Sequence, residues 1–354
     1  MNITICGGGN LGHVCAGFFA AQEEHNVSLL TTHPDQWSSY LEVVDHDRKV
    51  YKGKIKKISS DPTDVIPDAD IVLVCLPGFA IHKVLTSIAP HVSAKTWLGT
   101  VVSSTGFFFE ALKLFPKTQP LFGFQRVPFI SRVVNYGRVA ELKGYKESLS
   151  VAVEQTEDKE SVRAALENLF KTPTQLLDSY YEVSLSNSNP LLHTSRLYTM
   201  WKDWEPGMTF DRNPEFYSEW TKEAAQLLIE MDEEFQMLLK KIGLKDGAIP
   251  PVLQYYESID AESLTRKLHS IQAFKGIPSP MKLNRYGVYE PDFSSRYFTE
   301  DFPYGMRFII ETAKEYHADC PQIEKVYKWG NEIIHNTKPS NYGNIYKMPN
   351  IPLF

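Results

Sequence analysis

Three glycines near the start of the chain constrain its fold more than any other feature. Gly7, Gly9 and Gly12 form a GxGxxG pattern directly after a short β-prone run and at the start of a helix-compatible stretch. In such a turn the first glycine allows a tight bend, the second lets a pyrophosphate approach the backbone, and the third lets helix and strand pack closely. The helix N-terminus then offers free N–H groups to phosphates. We therefore expect Gly7, Gly9, Asn10, Leu11 and Gly12 to bind a dinucleotide, with a ligand-free turn as the alternative.

Strand and helix patterns alternate after the glycine turn. The unbroken apolar run 71–76 is typical of a strand covered on both faces, as in a parallel sheet, and Pro77 and Gly78 end it. Further strand patterns lie at 27–32, 96–102, 149–154 and 174–178, and helix patterns at 79–88, 105–115 and 159–170. This alternation predicts an α/β domain of Rossmann type, with a doubly wound sheet, over residues 1–182. Leu76 and Pro77, at the end of a central strand, are further candidates for cofactor contact.

Long helical patterns replace the alternation beyond about residue 182. They lie at 184–200, 214–242, 263–274 and 303–316. A length of 354 residues also suits two domains. We therefore predict a mostly helical (all-α) second domain over residues 183–354, with the boundary inside 178–188.

Composition and charge exclude several classes of function. A net charge of −6 argues against a nucleic-acid partner or an anionic membrane. No run approaches 18 consecutive apolar residues, and the first residues lack the basic start of a signal peptide. The four cysteines form no CxxC pair and predict reduced thiols in a cytoplasmic protein, with neither a disulfide framework nor a zinc site. The acidic residues within 230–234 are interpreted as a solvated helix face rather than a metal site. A homodimer, formed through an apolar helix of the second domain, is left open.

The end of the second strand bears on which dinucleotide binds. A carboxylate there would bind the ribose 2′-hydroxyl of NAD. The sequence has Thr31, Thr32 and His33 instead, which would tolerate a 2′-phosphate. These residues therefore favour NADP over NAD as the cofactor, although no arginine is present there to clamp a phosphate.

A histidine near the start of the second domain is a candidate acid–base residue. Asn189 is a suitable N-cap and Pro190 suits the first helical position, which puts His193 one turn into a helix, on the same side as Asn189. Imidazole exchanges protons near neutral pH. A packed histidine with a structural role is the alternative.

A second cluster of polar residues follows a Pro/Gly-rich stretch and spans 294–305. Arg296 is able to hold a carboxylate through two parallel hydrogen bonds, and Asp301 is able to orient His193. The alternative is that Asp301 caps the next helix and Arg296 is an ordinary surface residue.

Together these motifs resemble the octopine/nopaline (opine) dehydrogenase family, over nearly the whole chain. The resemblance rests on the glycine motif, on Asn189-Pro190-x-x-His193 and on Arg296-Tyr297-x-x-Glu300-Asp301-x-Pro303-x-Gly305. Weaker similarities are Phe216-Tyr217-x-Glu219, Gln125-Arg126-Val127-Pro128 and Gly144-Tyr145-Lys146. The chain departs from the family pattern at Thr194, where we expect proline, and at the neutral end of the second strand.

The resemblance implies an activity and a set of site residues. Family members use a reduced nicotinamide cofactor, NAD or NADP, to reduce the imine formed between a 2-oxo acid and the amino group of an amino acid. His193 would supply the proton, oriented by Asp301. Arg296, Asn189 and Gln125 would bind the carboxylate-bearing substrates, and no metal is involved.

Two other functions stay open at this point. One is a related two-domain reductase that acts on a 2-oxo or 3-hydroxy acid without an amine partner, although such relatives commonly use a lysine as proton donor. The other is a non-enzymatic protein that senses NADP(H), which would not need His193, Arg296 and Asp301 together. Turnover with and without an amine separates all three.

Overall fold

The computed structural model describes residues 1–336 and divides the chain into two compact units. The first unit is Met1–Asn187 together with the short segment Gly243–Ile249, and the second begins at Ser188. The sequence places the boundary at 182/183, whereas the structure divides the chain after Asn187. The segment Gly243–Ile249, which follows the long helix Lys222–Ile242, also belongs to the first unit. An ion pair between Lys245 and Asp178 joins that segment to the rest of the first unit.

The first unit is built on an eight-stranded sheet. In spatial order its strands are Thr174–Leu177 (β12), Leu149–Glu154 (β11), Leu121–Phe124 (β8), Trp97–Thr100 (β7), Ile71–Val74 (β6), Asn2–Cys6 (β1), Asn26–Leu30 (β2) and Lys57–Ser59 (β5). The six neighbouring strands β8, β7, β6, β1, β2 and β5 run parallel to one another. Strand β11 is antiparallel to β8. The strand order reverses between β1 and β6, and ligands of open α/β sheets bind at such a switch point.

Helices separate the strands of this sheet as the alternating pattern predicts. They are Asn10–Ala20 (α1), Gly78–Ile88 (α2), Phe107–Leu114 (α3), Lys159–Phe170 (α4) and Tyr180–Leu185 (α5). All four residues of β6 are buried, in agreement with a strand covered on both faces. The predicted doubly wound α/β domain is confirmed.

The first unit also contains a four-stranded sheet that the sequence patterns do not predict. Its strands, in spatial order, are Val50–Lys54 (β4), Tyr40–Asp45 (β3), Val139–Tyr145 (β10) and Phe129–Asn135 (β9). It packs against α1 so closely that a Cβ on Gly17 would lie 2.6 Å from the Val43 side chain. The pairing of β3 with β10 joins segments almost a hundred residues apart, which no local pattern reveals.

The second unit is mostly helical, as predicted. It contains Asn189–Trp201 (α6), Lys222–Ile242 (α7), Val252–Tyr255 (α8), Ala261–Ser270 (α9), Met281–Leu283 (β13), Tyr289–Pro291 (β14), Arg296–Thr299 (α10), Arg307–Glu315 (α11) and Pro321–Asn336 (α12). The predicted helix 184–200 is two helices, α5 and α6, because Pro190 lacks an N–H and its ring clashes with the carbonyl four residues earlier. A π-helical turn, Phe302–Met306, runs directly into α11, and the Arg307 N–H bonds to the Phe302 carbonyl five residues earlier.

Two of the acidic residues on α7 are buried, so the prediction of a solvated acidic face is wrong for them. Asp232 accepts the Val252 N–H at 2.8 Å, at the start of α8. The two carboxylate oxygens of Glu234 accept the N–H groups of Gln322 and Ile323 at 2.8 and 3.0 Å, in the first turn of α12. Burial raises the pKa of both carboxyl groups, and the backbone hydrogen bonds oppose that rise. These side chains therefore satisfy the open N–H groups of two other helices.

Other features of the described residues bear on the remaining predictions. Cys6, Cys15, Cys75 and Cys320 are free, buried thiols. Within residues 1–336 no helix combines the length and apolarity that crossing a bilayer requires. In the same range no cluster of His, Cys, Asp and Glu is arranged to hold a metal ion.

Candidate functional site

The glycine turn follows β1 at the switch point, and each of its three motif glycines meets a different constraint. Gly7 has φ of +122°, and a Cβ there would lie 2.7 Å from the Cys75 carbonyl oxygen. A Cβ on Gly12 would lie 2.0 Å from the Gly7 carbonyl oxygen, so the helix can approach the strand only without one. A Cβ on Gly9 would meet no atom within 4 Å. Gly9 is the N-cap of α1. Because glycine has no side chain, the space beside the N–H groups of the first helical turn stays open, and no side chain bonds to them from this position. This cradle fits a pyrophosphate.

Two other predicted site segments lie at the same edge of the sheet as the glycine turn. Leu76 and Pro77 follow β6, and Pro77 caps α2. The Leu76 side chain lies against the position where a Gly7 Cβ would stand. Gln125 follows β8, and its N–H donates to the Ser150 carbonyl at 2.9 Å. Because β1, β6 and β8 are parallel, their carboxyl ends bring these residues to one edge.

The residues around the end of β2 differ in exposure. Thr31 is buried, and its N–H donates to the Ser59 carbonyl at 2.9 Å. Thr32 and His33 are exposed and carry no carboxylate. The Asn10 side chain is engaged elsewhere, since its Oδ1 accepts the Val133 N–H of β9 at 2.8 Å. Of Asn10, the backbone N–H is the group that fits a phosphate.

His13, which the sequence analysis missed, holds the glycine turn from behind. Its Nε2 accepts the Gly137 N–H at 2.8 Å, so Nδ1 carries the proton and donates to the Gly9 carbonyl at 3.0 Å. The imidazole stacks on Trp37 with ring centroids 4.0 Å apart. Burial lowers the pKa of His13, and the backbone contacts oppose this. A neutral imidazole therefore sets the orientation of the Gly9 peptide.

In the second unit His193 and Asp301 are directly hydrogen-bonded. Nδ1 of His193 lies 2.8 Å from Oδ2 of Asp301, and both side chains are largely buried. The structure corrects one detail of the prediction, because Ser188 is the N-cap of α6 and Asn189 is its first residue. Asp301 stands at the N-cap position of the π-helical turn, as the alternative predicts, but its carboxylate makes no capping hydrogen bond there and bonds to His193 instead.

The second ring nitrogen of His193 has a partner that the sequence analysis did not assign. Nε2 lies 2.7 Å from Oη of Tyr217, in the segment before α7. The Tyr217 ring stacks on Phe274 with centroids 4.1 Å apart and planes at 17°. Burial raises the pKa of Tyr217, and the neighbouring Tyr297, Tyr256 and Asp301 add to this. The sequence signals at this position are the cluster of aromatic residues at 216–220 and the Phe216-Tyr217-x-Glu219 similarity.

Arg296 lies in the same segment that brings Asp301 to the histidine. The ring of Tyr297, the next residue, meets His193 edge-on with centroids 4.7 Å apart. Arg296 itself forms a two-pronged pair with Glu300, from Nε to Oε1 at 2.8 Å and from Nη2 to Oε2 at 2.7 Å. Its side chain is 83% exposed, and residues 1–336 provide no hydrogen-bond partner for Nη1. Glu300 and, less strongly, Asp301 raise the pKa of Arg296, which therefore stays a cation.

Comparisons with known proteins show which proteins this chain is similar to. The family model described as NAD/NADP octopine/nopaline dehydrogenase, alpha-helical domain, matches residues 176–334. Tauropine dehydrogenase of Arabella iricolor is 27% identical over 94% of this chain and 91% of its own length. Opine dehydrogenase of Haliotis discus hannai is 26% identical over 94% of this chain and 91% of its own length. Over nearly its whole length the chain is similar to members of the octopine/nopaline dehydrogenase family.

The chain is an NAD(P)-dependent oxidoreductase that acts on CH–NH bonds. It catalyses the reductive condensation of a 2-oxo acid with an amino acid, or the reverse oxidation, with a nicotinamide cofactor. Octopine dehydrogenase, solved with NADH and L-arginine, has the same fold, with a TM-score of 0.83, 25% identity and coverage of 95% of this chain and 90% of that one. A second model, described as ketopantoate reductase PanE/ApbA, matches residues 3–123.

Two glycine substitutions should separate cofactor binding from folding. Gly9→Ala places a methyl group in the space that fits a phosphate and touches no protein atom, so the melting temperature should not change while cofactor affinity falls about tenfold or more. Gly12→Ala collides with the Gly7 carbonyl and should also destabilise the fold by about 1–3 kcal/mol. Thermal unfolding and fluorescence titration with NADH and NADPH measure the two effects. Wild-type affinity in Gly9→Ala would contradict a pyrophosphate beside Gly9.

Proposed function

We propose that His193 and Asp301 are the acid–base pair of the condensation reaction and that Arg296 binds a substrate carboxylate. The observation that carries this proposal is the 2.8 Å hydrogen bond between Nδ1 of His193 and Asp301. Since Asp301 accepts the Nδ1 proton, Nε2 is the nitrogen that takes and gives protons. The adjacent carboxylate also stabilises the imidazolium once it forms.

Both directions of the reaction require a proton transfer, to the substrate oxygen in the condensation and from the substrate nitrogen in the oxidation. In the condensation, the hydroxyl group of the carbinolamine must be protonated before it leaves as water. In the oxidation, the secondary ammonium must lose a proton so that the nitrogen lone pair can form the C=N bond. When bound, the nicotinamide supplies or takes the hydride. The contribution of His193 is to hold or release one proton at Nε2.

The Arg296 guanidinium is oriented for an anion. A planar guanidinium has two edges that can each hold a carboxylate, one formed by Nε with one Nη and one formed by the two Nη atoms. Glu300 occupies the first edge. The second edge has the geometry for the carboxylate of the 2-oxo acid or of the amino acid. Asn189 and Gln125 stay predicted substrate contacts.

NADPH is the proposed preferred cofactor. Thr32 and His33 are exposed after β2 and offer no carboxylate that would repel a 2′-phosphate. The first carboxylate after β2, Asp35, lies within a separate short turn at Pro34–Gln36. The neutral strand end therefore supports a site that accepts the phosphorylated ribose.

The place of action and the assembly are also proposals. A cytoplasmic setting would keep the four buried thiols in the reduced state in which they stand here. The homodimer stays a prediction, and gel filtration tests it.

Oxidation of NADPH in the presence of pyruvate should depend on an added amino acid. His193→Ala should lower kcat by about 10²–10⁴-fold, because the proton-transferring group is lost, while cofactor affinity stays near the wild-type value. The matched control is His269→Ala in the same unit, whose Nε2 bonds to the Trp220 carbonyl at 2.9 Å. Equal turnover without an amine would indicate a reductase of 2-oxo acids. Tight cofactor binding with no turnover over a broad screen of substrates would indicate a sensor.

Glu300→Gln should raise KM for the 2-oxo acid about tenfold and change kcat little, because Arg296 loses the charge that orients it. Initial-rate kinetics with the second substrate saturating measure both constants. Glu262→Gln is the matched control, since Glu262 forms an exposed pair with Arg266 at 2.6 Å on α9. A fall in KM would contradict the proposal and would identify Glu300 as a competitor for the substrate carboxylate.

Thr32→Asp should reverse the cofactor preference. The new carboxylate at this exposed position would repel a 2′-phosphate and accept a hydrogen bond from a 2′-hydroxyl, so kcat/KM for NADPH should fall about tenfold or more while that for NADH holds or rises. NADH is the internal control for folding. A wild-type enzyme that strongly prefers NADH would contradict the proposed preference directly.

A further inference from the structure

Tyr217 occupies the position at which His193 must exchange its proton. Asp301 binds Nδ1 of His193, and the Tyr217 hydroxyl lies 2.7 Å from Nε2. A substrate nitrogen cannot take the same lone pair of Nε2 while the hydroxyl is there. Either the phenol moves away in each turnover, or the proton passes through its oxygen.

The surroundings of Tyr217 oppose movement. Its ring is stacked on Phe274 at 4.1 Å and lies nearly parallel to Trp220, with centroids 6.1 Å apart and planes at 8°. The edge of Phe216 closes a third side at 5.0 Å, and only 6% of Tyr217 is exposed. Since the phenol oxygen lies in the plane of the ring, these rings fix the direction of Oη. Displacing the side chain would break three aromatic contacts, whereas a proton transfer through Oη breaks none.

We propose that Tyr217 is a further catalytic residue of this reaction, a proton relay whose Oη exchanges protons with the substrate and with Nε2 of His193. The proposal rests on the proposed role of His193. A hydroxyl group donates one hydrogen bond and accepts two, so Oη can receive a proton from one partner as it gives its own to the other.

The proton balance closes in both directions. During oxidation an N–H bond of the secondary ammonium breaks as a new O–H bond forms at Oη, while the original O–H bond breaks and an N–H bond forms at Nε2. Tyr217 ends with the one proton it began with, and the imidazole gains a proton beside the negative charge of Asp301. The electron pair of the breaking C–H bond leaves as hydride to the nicotinamide cofactor. Reduction follows the same path in reverse, with Tyr217 delivering the proton.

The surroundings of the Tyr217 hydroxyl determine its protonation state during the relay. Burial, then the neighbouring phenols of Tyr297 and Tyr256 and the carboxylate of Asp301, raise the pKa of Tyr217. The phenol is therefore protonated at rest, and a free phenolate is not part of the path. Both transfers must take place together, so two protons move in one step.

Tyr217→Phe is the direct test, because it keeps the ring and removes the oxygen. We expect kcat to fall about 10²-fold, with KM values and cofactor affinity within about threefold of wild type. Tyr327→Phe is the matched control, a phenol on α12 of the same unit whose pKa burial also raises and which has no part in the relay, so its activity should stay near wild type. Melting temperatures show whether both variants fold.

A measurement on the unmodified enzyme tests the relay independently of any variant. In mixtures of H2O and D2O, kcat of the oxidation should fall along a curve, since two protons move in the same step. A straight line would overturn the relay, as would a Tyr217→Phe variant that retains half or more of wild-type kcat. If His193→Ala loses turnover and Tyr217→Phe does not, the acid–base role of His193 stands and the relay fails. If neither loses turnover, both are wrong.

Discussion

The hydrogen bond between His193 and Asp301 is the interaction on which the second unit depends. It joins residues 108 positions apart, on α6 and just before the π-helical turn. A buried carboxylate without a partner is costly, so the two segments gain stability only when they meet. The same contact brings Tyr297 against the imidazole. Arg296, the first residue of α10, keeps its side chain exposed. One pair of side chains therefore brings together the polar groups of the proposed site in this unit.

Two buried histidines of the chain illustrate how hydrogen-bond partners differ in what they allow an imidazole to do. His13 and His193 are both buried, and each has both ring nitrogens hydrogen-bonded. The partners of His13 are a backbone carbonyl and a backbone N–H, neither of which can exchange a proton at ordinary pH. Those of His193 are a carboxylate and a phenol, which can. The first histidine holds a shape, and the second is equipped for proton transfer.

The glycine turn, the central sheet and the pairing of His193 with Asp301 could be predicted from the sequence. The glycine spacing and the apolar run of β6 are local signals, and the two polar motifs carry the resemblance to the family. The small sheet, His13 and Tyr217 could not be predicted in the same way. His13 is recognisable only once Gly137, 124 residues away, is placed beside it. Asp232 and Glu234 look like a solvated acidic face because a helix pattern does not show which other helix ends will reach it.

The π-helical turn at Phe302–Met306 has a consequence for how this chain can vary. Each residue of an α-helix turns the chain by about 100°, and the wide turn contains one residue more than an α-helix would need. Loss of that single residue would leave α11 intact but rotate everything before it, the Asp301 carboxylate included, by more than a quarter of a revolution. Insertions and deletions are thus far less tolerable in these five positions than substitutions, and a shortened natural variant would signal an inactive descendant.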